Sequence, residues 1–279
     1  MPIHDQGYRH YAGERALRRR AWWVIARAGI MERLRERRFL GLLLFSWSLF
    51  LMRAVQLYLG TTIAQASFLA PTEQTFHQFL NQQRIFVFFI TIYAGAGLIA
   101  SDRQSNALQI YLSKPITRHE YIAGKLFTLA AFLVAVTWLP AMLLLVLQVL
   151  ISGGVEFVSS HPRLIPAITL ASFLQVSLAA MTMVALSSLS RSRRFVSMLY
   201  AGIVFFGAAL DGVLRISTGN PAWALVSPQN TLAVVTDAIF DNAAESAVPV
   251  SVALVALGIL LGISIFILER RVRAVEVVG

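Results

Sequence analysis

The sequence contains six long apolar stretches, and their length decides what the chain can become. About 20 helical residues cross a hydrocarbon core of roughly 30 Å. Because backbone N–H and C=O groups find no water inside a bilayer, apolar segments of this kind form helices. Only 14% of the 279 residues are charged, which is too few to cover a soluble domain of this length. The predicted spans are Phe39–Tyr58, Ile85–Ala100, Leu126–Leu150, Leu164–Leu186, Phe195–Ile216 and Val248–Leu268.

The fold class that follows is an all-α polytopic membrane protein with six transmembrane helices. Residues 1–38 form a basic N-terminal segment, residues 39–268 the membrane domain, and residues 269–279 a basic tail. Pro140 predicts a kink within the third span, because proline has no N–H and its ring collides with the preceding turn. The second span is short and is expected to extend backward through residues 82–84.

The basic residues lie on one side of the predicted membrane. Of the 24 Lys and Arg residues, ten are in residues 1–38, four in 101–125, three in 187–194 and three in 269–279. Six spans place these four segments on the same side, and an excess of Lys and Arg marks the cytoplasmic side. The net charge of +10 is therefore a topology signal and not a nucleic-acid-binding surface. Both termini are predicted to be cytoplasmic.

Residues 23–38 predict an amphipathic helix that lies along the inner leaflet. Paired tryptophans beside arginines are typical of such an interfacial helix. The alternative is a plain basic tail before the first span. On a helical wheel the polar arc contains Glu32, Arg33, Glu36 and Arg37. The residues assigned to the interfacial helix are Trp22, Trp23, Arg27, Met31 and Leu34.

A polar insert broken by proline separates the second and third spans. Ser101 and Gln104 predict a helix start, and Pro115 ends this helix because the residue before a proline avoids the α conformation. Thr117 and Glu120 then predict a capping box, in which each side chain accepts a hydrogen bond from an otherwise unpaired backbone N–H. A rigid polar protrusion of this kind is either a docking element or a solvated helical hairpin.

Three charged residues and two glycines stand out within the spans. Asp211 and Arg215 are spaced i, i+4, which predicts an ion pair, and Arg53 lies deep in the first span, where an unpaired charge is costly. These three residues predict either a pore or gate, or an outer interface that ties helices together. Gly258 and Gly262 form a GxxxG pattern, which is typical of close helix packing in membranes.

The long loop of residues 217–247 carries an apolar stripe formed by Leu232, Val235 and Ile239. Pro221 and Pro228 interrupt the loop. The pattern predicts a short helix resting at the outer interface, and a surface loop is the alternative.

Catalytic and metal-binding patterns are not found. The chain contains no cysteine, no H-E-x-x-H pattern and no P-loop, and its only Gly-Lys pair, Gly124-Lys125, lacks the upstream glycine and the Ser/Thr. We therefore expect no enzymatic activity, no metal site and no cofactor in this chain. ATP-driven work would need a partner subunit that holds ATP and Mg²⁺.

The run GAGLIASDRQSNALQIYLSKPITRHEYIAGKL, residues 95–126, resembles the hallmark segment of permease subunits of ATP-binding cassette exporters of the type 2 class. Asn106 departs from the pattern, because relatives often have glycine there. The resemblance implies that the insert is a cytoplasmic coupling helix, that the N-terminal helix is an interfacial elbow, and that Pro115 and Gly124 set the local geometry. The implied contacts with the ATPase subunit are Asp102, Arg103, Gln104, Asn106, Gln109, Lys114, Pro115 and Arg118.

The same resemblance implies a function and its partners. The chain would be the permease subunit of an ATP-driven exporter in the plasma (inner) membrane, working as a dimer with a second permease copy and with separate ATPase subunits. The alternatives are a secondary transporter or channel, which usually shows internal repeats, and a non-transporting scaffold of a secretion or motility complex.

Overall fold

The computed structural model describes residues 21–62, 72–107, 116–154, 156–241 and 248–272. Every regular element in these ranges is helical. Within them, six helical segments are long and apolar enough to cross a membrane, as the hydropathy of the sequence predicts. Spans one to six are Arg37–Thr62, Glu73–Gln104, Arg118–Ser152, Leu164–Leu189, Arg193–Thr218 and Val250–Arg271.

Helix α1 (Ala21–Leu34) precedes span one and is separated from it by a turn. The predicted helix through Arg38 is therefore too long. Arg33, assigned to the polar arc, is buried and forms an ion pair of 2.6 Å with Glu36 at the turn. Span one consists of α2 (Arg37–Ser46) and α3 (Ser48–Thr62), which are interrupted at one residue.

Span two changes its helical geometry along its length. An α-helix, α4 (Glu73–Ile90), is followed by a π-helical segment (Thr91–Gly95), turns over residues 96–99, and α5 (Ala100–Gln104). Ser101 therefore lies inside a helix that continues span two, and the predicted helix start at this residue is wrong. The predicted end of the insert helix lies outside the described residues, as do Gln109, Lys114 and Pro115.

Span three begins at the predicted capping box. The Thr117 hydroxyl accepts a hydrogen bond from the Glu120 N–H at 3.2 Å, and the Glu120 carboxylate accepts one from the Thr117 N–H at 2.9 Å. The span consists of α6 (Arg118–Val136) and α7 (Trp138–Ser152). The break between them lies three residues before Pro140, so the predicted disturbance of the helix is confirmed.

The second half of the chain follows a simpler order. The remaining elements are α8 (Glu156–Ser160), α9 (Leu164–Leu189), α10 (Arg193–Thr218), a 3₁₀ helix (Pro221–Val226), α11 (Pro228–Ile239) and α12 (Val250–Arg271). Helix α11 starts with an N-cap, in which the Ser227 hydroxyl accepts a hydrogen bond from the Asn230 N–H at 3.4 Å. We call the end of the bundle with residues 101–107, 116–118 and 190–192 the insert face, and the end with residues 153–154 and 156–163 the far face.

Spans two, three and four form the interior of the bundle, whereas spans one, five and six are largely exposed. The exposed faces of the outer spans are apolar, as contact with lipid or with another chain requires. Helix α11 packs into this bundle. Its Leu232 and Val235 are buried against Leu178 of span four and Leu257 of span six.

The predicted helix in the long loop is confirmed, but it lies deeper than an interfacial helix. The start of α11 reaches Gly207, near the middle of span five, where a Cβ atom would lie 3.6 Å from Pro228 Cδ. Burial of Leu232 and Val235 in the bundle accounts for this depth.

Candidate functional site

Asp102 joins the two ends of the polar insert. One oxygen, Oδ2, accepts a hydrogen bond from the Tyr121 hydroxyl at 2.6 Å and lies 2.7 Å from Lys125 Nζ. Tyr121 is fully buried, and Lys125 lies one helical turn further along span three. Because an ion pair that is shielded from water is screened less than an exposed one, this contact fastens the end of span two to the start of span three.

Arg103 fastens the same end of span two to span four. Its guanidinium donates a hydrogen bond to the Ser188 carbonyl oxygen, in the last turn of span four. Carbonyl groups in the last turn of a helix have no partner within the helix, which makes them available to this donor. The sequence assigned Arg103 to the water-exposed insert as a docking contact, but its side chain is half-buried and anchors the insert within the chain.

Ser187 binds the irregular part of span two with all of its hydrogen-bonding capacity. Its hydroxyl accepts hydrogen bonds from the Ile99 and Ala100 N–H groups and donates one to the Ala96 carbonyl oxygen, each at 3.0 Å. A hydroxyl group offers one donor and two acceptor positions, so all three are used. The side chain is fully buried, and it satisfies backbone groups that the turns after the π-helical segment leave unpaired.

Arg193, at the start of span five, contacts the π-helical segment itself. Its guanidinium donates a hydrogen bond to the Tyr93 carbonyl oxygen at 2.8 Å and lies 5.4 Å from the centre of the Tyr93 ring. Spans three, four and five therefore all hold the stretch of span two that leads into the insert.

The exposed part of the insert lies beyond these anchors. Of the residues predicted to contact an ATPase subunit, Gln104, Asn106 and Arg118 are exposed. Asn106 has a φ of 57°, in the left-handed region that glycine adopts freely and asparagine tolerates. The asparagine at a position where relatives often have glycine is thus explained by the shape of the turn.

Helix α1 packs closely on the start of span three. A Cβ atom at Gly124 would lie 2.8 Å from the Trp22 carbonyl oxygen and 2.8 Å from Ile25 Cβ, so only glycine fits without a shift. The rings of Trp22 and Trp23 lie 5.4 Å and 5.8 Å from that of Phe127. Tight packing on this side leaves the opposite side of α1 to face outward.

Of the assigned α1 residues, Arg27 and Met31 are exposed on that outward side, Trp23 is exposed but also contacts Phe127, and Trp22 and Leu34 are half-buried. The location of α1 at a membrane interface stays a prediction.

The polar residues of spans one and five form separate clusters. Arg53 donates hydrogen bonds to Gln56 at 2.6 Å, Gln82 at 3.3 Å and Gln78 at 3.4 Å. These side-chain amides on spans one and two explain how a buried arginine is accommodated near the middle of a span. Its role in a pore or gate stays a prediction.

The predicted pair of Asp211 and Arg215 is present. The two side chains form hydrogen bonds of 2.7 Å and 3.0 Å, and Asn230 of α11 also donates to Asp211 at 2.5 Å. Among the described residues, the hydrogen bonds and ion pair of this cluster do not involve Arg53, so the three residues predicted as a gate are not brought together. The cluster instead connects span five to α11.

The GxxxG pattern of span six does not pack against another part of the described chain. Apart from the neighbouring backbone of the same helix, no described atom lies within 4 Å of a Cβ placed at Gly258 or Gly262. Span six packs through a different side, which includes Ala253 and Leu257. The described residues therefore supply no packing partner for these glycines, and helix packing at Gly258 and Gly262 stays a prediction.

Sequence reasoning missed most of the residues that hold the insert. Asp102 and Lys125 carry opposite charges on the two sides of the insert, which is a signal from which this pair could have been predicted. Ser187 lies in a run of small polar residues with no distinguishing spacing, and a π-helical segment has no recognisable sequence pattern. In the described ranges, no group of three or more His, Asp or Glu residues is arranged to hold a metal ion.

Comparison with known protein families gives a match over most of the chain. The family described as ABC-2 family transporter protein matches residues 23–273, which is most of the chain and includes the insert and all six spans. No curated protein matches the sequence. Membership implies a membrane-embedded permease that works with an ATP-binding cassette ATPase. The chain belongs to the ABC-2 transporter family.

Proposed function

We propose that this chain is the permease subunit of an ATP-driven exporter and forms the translocation path as a dimer. Its insert would dock on a separate ATPase subunit, which supplies ATP and Mg²⁺, so that this chain needs no cofactor of its own. The absence of a P-loop from the sequence supports the assignment of ATP binding to a separate subunit. Export as the direction of transport rests on the resemblance of residues 95–126 to exporter permeases.

The observation that carries the proposal is the way the base of the insert is held. Asp102 contacts span three, Arg103 contacts span four, and the stretch just before them is bound by Ser187 and Arg193. A force applied to the exposed insert is thereby transmitted to four spans at once. Rigid-body movement of packed helices is the usual way in which such a displacement reaches a distant site.

The proposed orientation places the insert face in the cytoplasm of the cell and the protein in the plasma membrane. The segments at this face carry 20 of the 24 Lys and Arg residues, which supports a cytoplasmic location of both termini. An ATPase that hydrolyses cytoplasmic ATP would then meet the insert directly.

Charge reversal at Arg118 tests docking. Arg118 is exposed at the start of span three, so Arg118→Glu should weaken association with the ATPase subunit while changing the free energy of unfolding by no more than about 0.5 kcal/mol. The measurement is a pull-down of the ATPase by the permease in detergent, together with a melting curve.

Arg163→Glu is the matched control, because Arg163 is exposed on the far face. Its exposed ion pair with Asp241, 3.2 Å long, contributes little to stability. Equal association of the wild type and both variants would contradict docking at the insert.

Single-cysteine labelling tests the orientation. The sequence contains no cysteine, so each introduced cysteine is the only thiol in the chain. In intact cells an impermeant maleimide should label a cysteine at exposed Ser160 on the far face, and should label those at Ser105 and Ser192 only after the membrane is opened. Labelling of Ser105 from outside intact cells would reverse the proposed topology.

A further inference from the structure

A cavity of about 280 Å³ opens between spans two and five, beside the start of α11. Its walls include the rings of Phe88, Phe89 and Phe205 and the side chain of Ile85. Ile85, Phe89 and Phe205 are exposed, so the cavity opens on the apolar outer surface of the bundle. One wall carries a positive charge, which belongs to Arg84.

Arg84 is held in place by two neutral groups. Its guanidinium donates to the Gln229 carbonyl oxygen at 3.4 Å and to the Thr236 hydroxyl at 3.2 Å, both on α11. A guanidinium has five N–H donors, and the buried Nε has no acceptor among the described residues. Most of the hydrogen-bonding capacity of Arg84 is therefore not used within the described protein.

The charge of Arg84 is also not neutralised by an ion pair in the described ranges. Asp237, on α11, attracts it electrostatically, but that carboxylate lies 2.8 Å from His77 Nε2 and is not within ion-pair distance of Arg84. Arg84 lies within span two and contacts the start of α11, which reaches the middle of span five, and a charge inside a membrane-spanning segment is costly unless an anion accompanies it. Guanidinium groups bind phosphate with paired hydrogen bonds.

We propose that this cavity binds an anionic phospholipid from the leaflet at the far face. The phosphate group contacts Arg84, and an acyl chain lies against Phe88, Phe89 and Phe205. A membrane lipid is the occupant that matches both observations, because it combines an anion that can accompany Arg84 with an apolar chain that fits the opening on the apolar surface. The site does not depend on the proposed transport function.

Native mass spectrometry of the delipidated full-length permease in a non-ionic detergent tests this site. Three probes separate the contribution of the phosphate group from that of the acyl chains. They are dioleoylphosphatidylglycerol, dioleoylglycerol, which lacks the phosphate, and glycerol 3-phosphate, which lacks the chains. We expect one saturable phosphatidylglycerol per chain and no comparable binding of the other two. Arg84→Gln should weaken this binding about tenfold, equivalent to about 1.4 kcal/mol.

Two matched controls show whether the effect is local. Arg163→Gln removes an exposed positive charge at the far face, and Phe206→Ala truncates a ring next to Phe205 that does not line the cavity. Both should bind phosphatidylglycerol as the wild type does, whereas Phe205→Ala should bind it more weakly. If Arg84→Gln has a lower melting temperature than the wild type, its weaker binding could reflect unfolding. The comparison of Phe205→Ala with Phe206→Ala then shows whether the lipid binds in this cavity.

Equal binding by all variants would overturn the proposal, since the lipid would then be part of the general annulus. Equal binding of dioleoylglycerol would also overturn it, because Arg84 would then have no role. A fourth probe, decyl phosphate, represents a soluble amphiphile. Arg84-dependent binding of decyl phosphate without binding of phosphatidylglycerol would assign the cavity to a transported compound and overturn the lipid site.

Discussion

Replacement of Ser187 by alanine is expected to lower the free energy of unfolding by about 2–4 kcal/mol. The hydroxyl accepts hydrogen bonds from two buried N–H groups, those of Ile99 and Ala100. Each buried donor left without an acceptor costs about 1–3 kcal/mol. The loss also frees the stretch of span two that leads into the insert, so ATP hydrolysis by the assembled transporter should become less dependent on transported substrate.

Ser188→Ala is the matched control for this experiment. Ser188 is equally buried, but its hydroxyl bonds only to the Ala185 carbonyl oxygen within its own helix, at 2.6 Å. Melting curves of the purified permease and ATPase assays of the assembled complex compare the two variants. If Ser188→Ala were as damaging as Ser187→Ala, the contact between spans two and four would have no special importance.

Replacement of Gly124 by alanine is the second large effect that we expect. A Cβ atom at this position would lie 2.8 Å from a backbone oxygen, that of Trp22, and a backbone atom cannot rotate away as the end of a side chain can. Helix α1 must therefore move from span three. Overpacking of this kind costs about 1–3 kcal/mol.

The measurement combines a melting curve with the fluorescence of Trp22 and Trp23 in a background in which the other three tryptophans are replaced by phenylalanine. Displacement of α1 should change their emission, because both rings contact Phe127. Gly41→Ala is the control, since no described atom outside the neighbouring backbone of the same helix lies within 4 Å of its Cβ position. A wild-type melting curve and emission for Gly124→Ala would contradict close packing at this position.

Features that depend on local sequence were predictable. Hydropathy located all six spans, because apolar length is a property of each segment by itself. The capping box of Thr117 and Glu120 was predicted to the residue, since its donors and acceptors lie three positions apart. The pair of Asp211 and Arg215 was predicted for the same reason, as neighbours on one helical turn.

Features that depend on distant parts of the chain were not predictable. Ser187 acts on residues of span two that are far away in sequence, and nothing in its neighbourhood indicates this. Arg103 was interpreted as an exposed contact because its sequence surroundings are polar, yet span four supplies it with a carbonyl acceptor. Gly258 and Gly262 fit a packing pattern, but the sequence does not tell which side of span six meets span four.

The π-helical segment Thr91–Gly95, together with the turns over residues 96–99, sets the angular position of the rest of span two around the helix axis. A π-turn accommodates one residue more than an α-turn, and one residue corresponds to a rotation of about 100° around the helix axis. With an uninterrupted α-helix of the same length, Asp102 and Arg103 would start from a different angular position and would not both meet their present partners. The one additional residue of the π-turn thus rotates the protruding end of span two relative to the part that crosses the membrane.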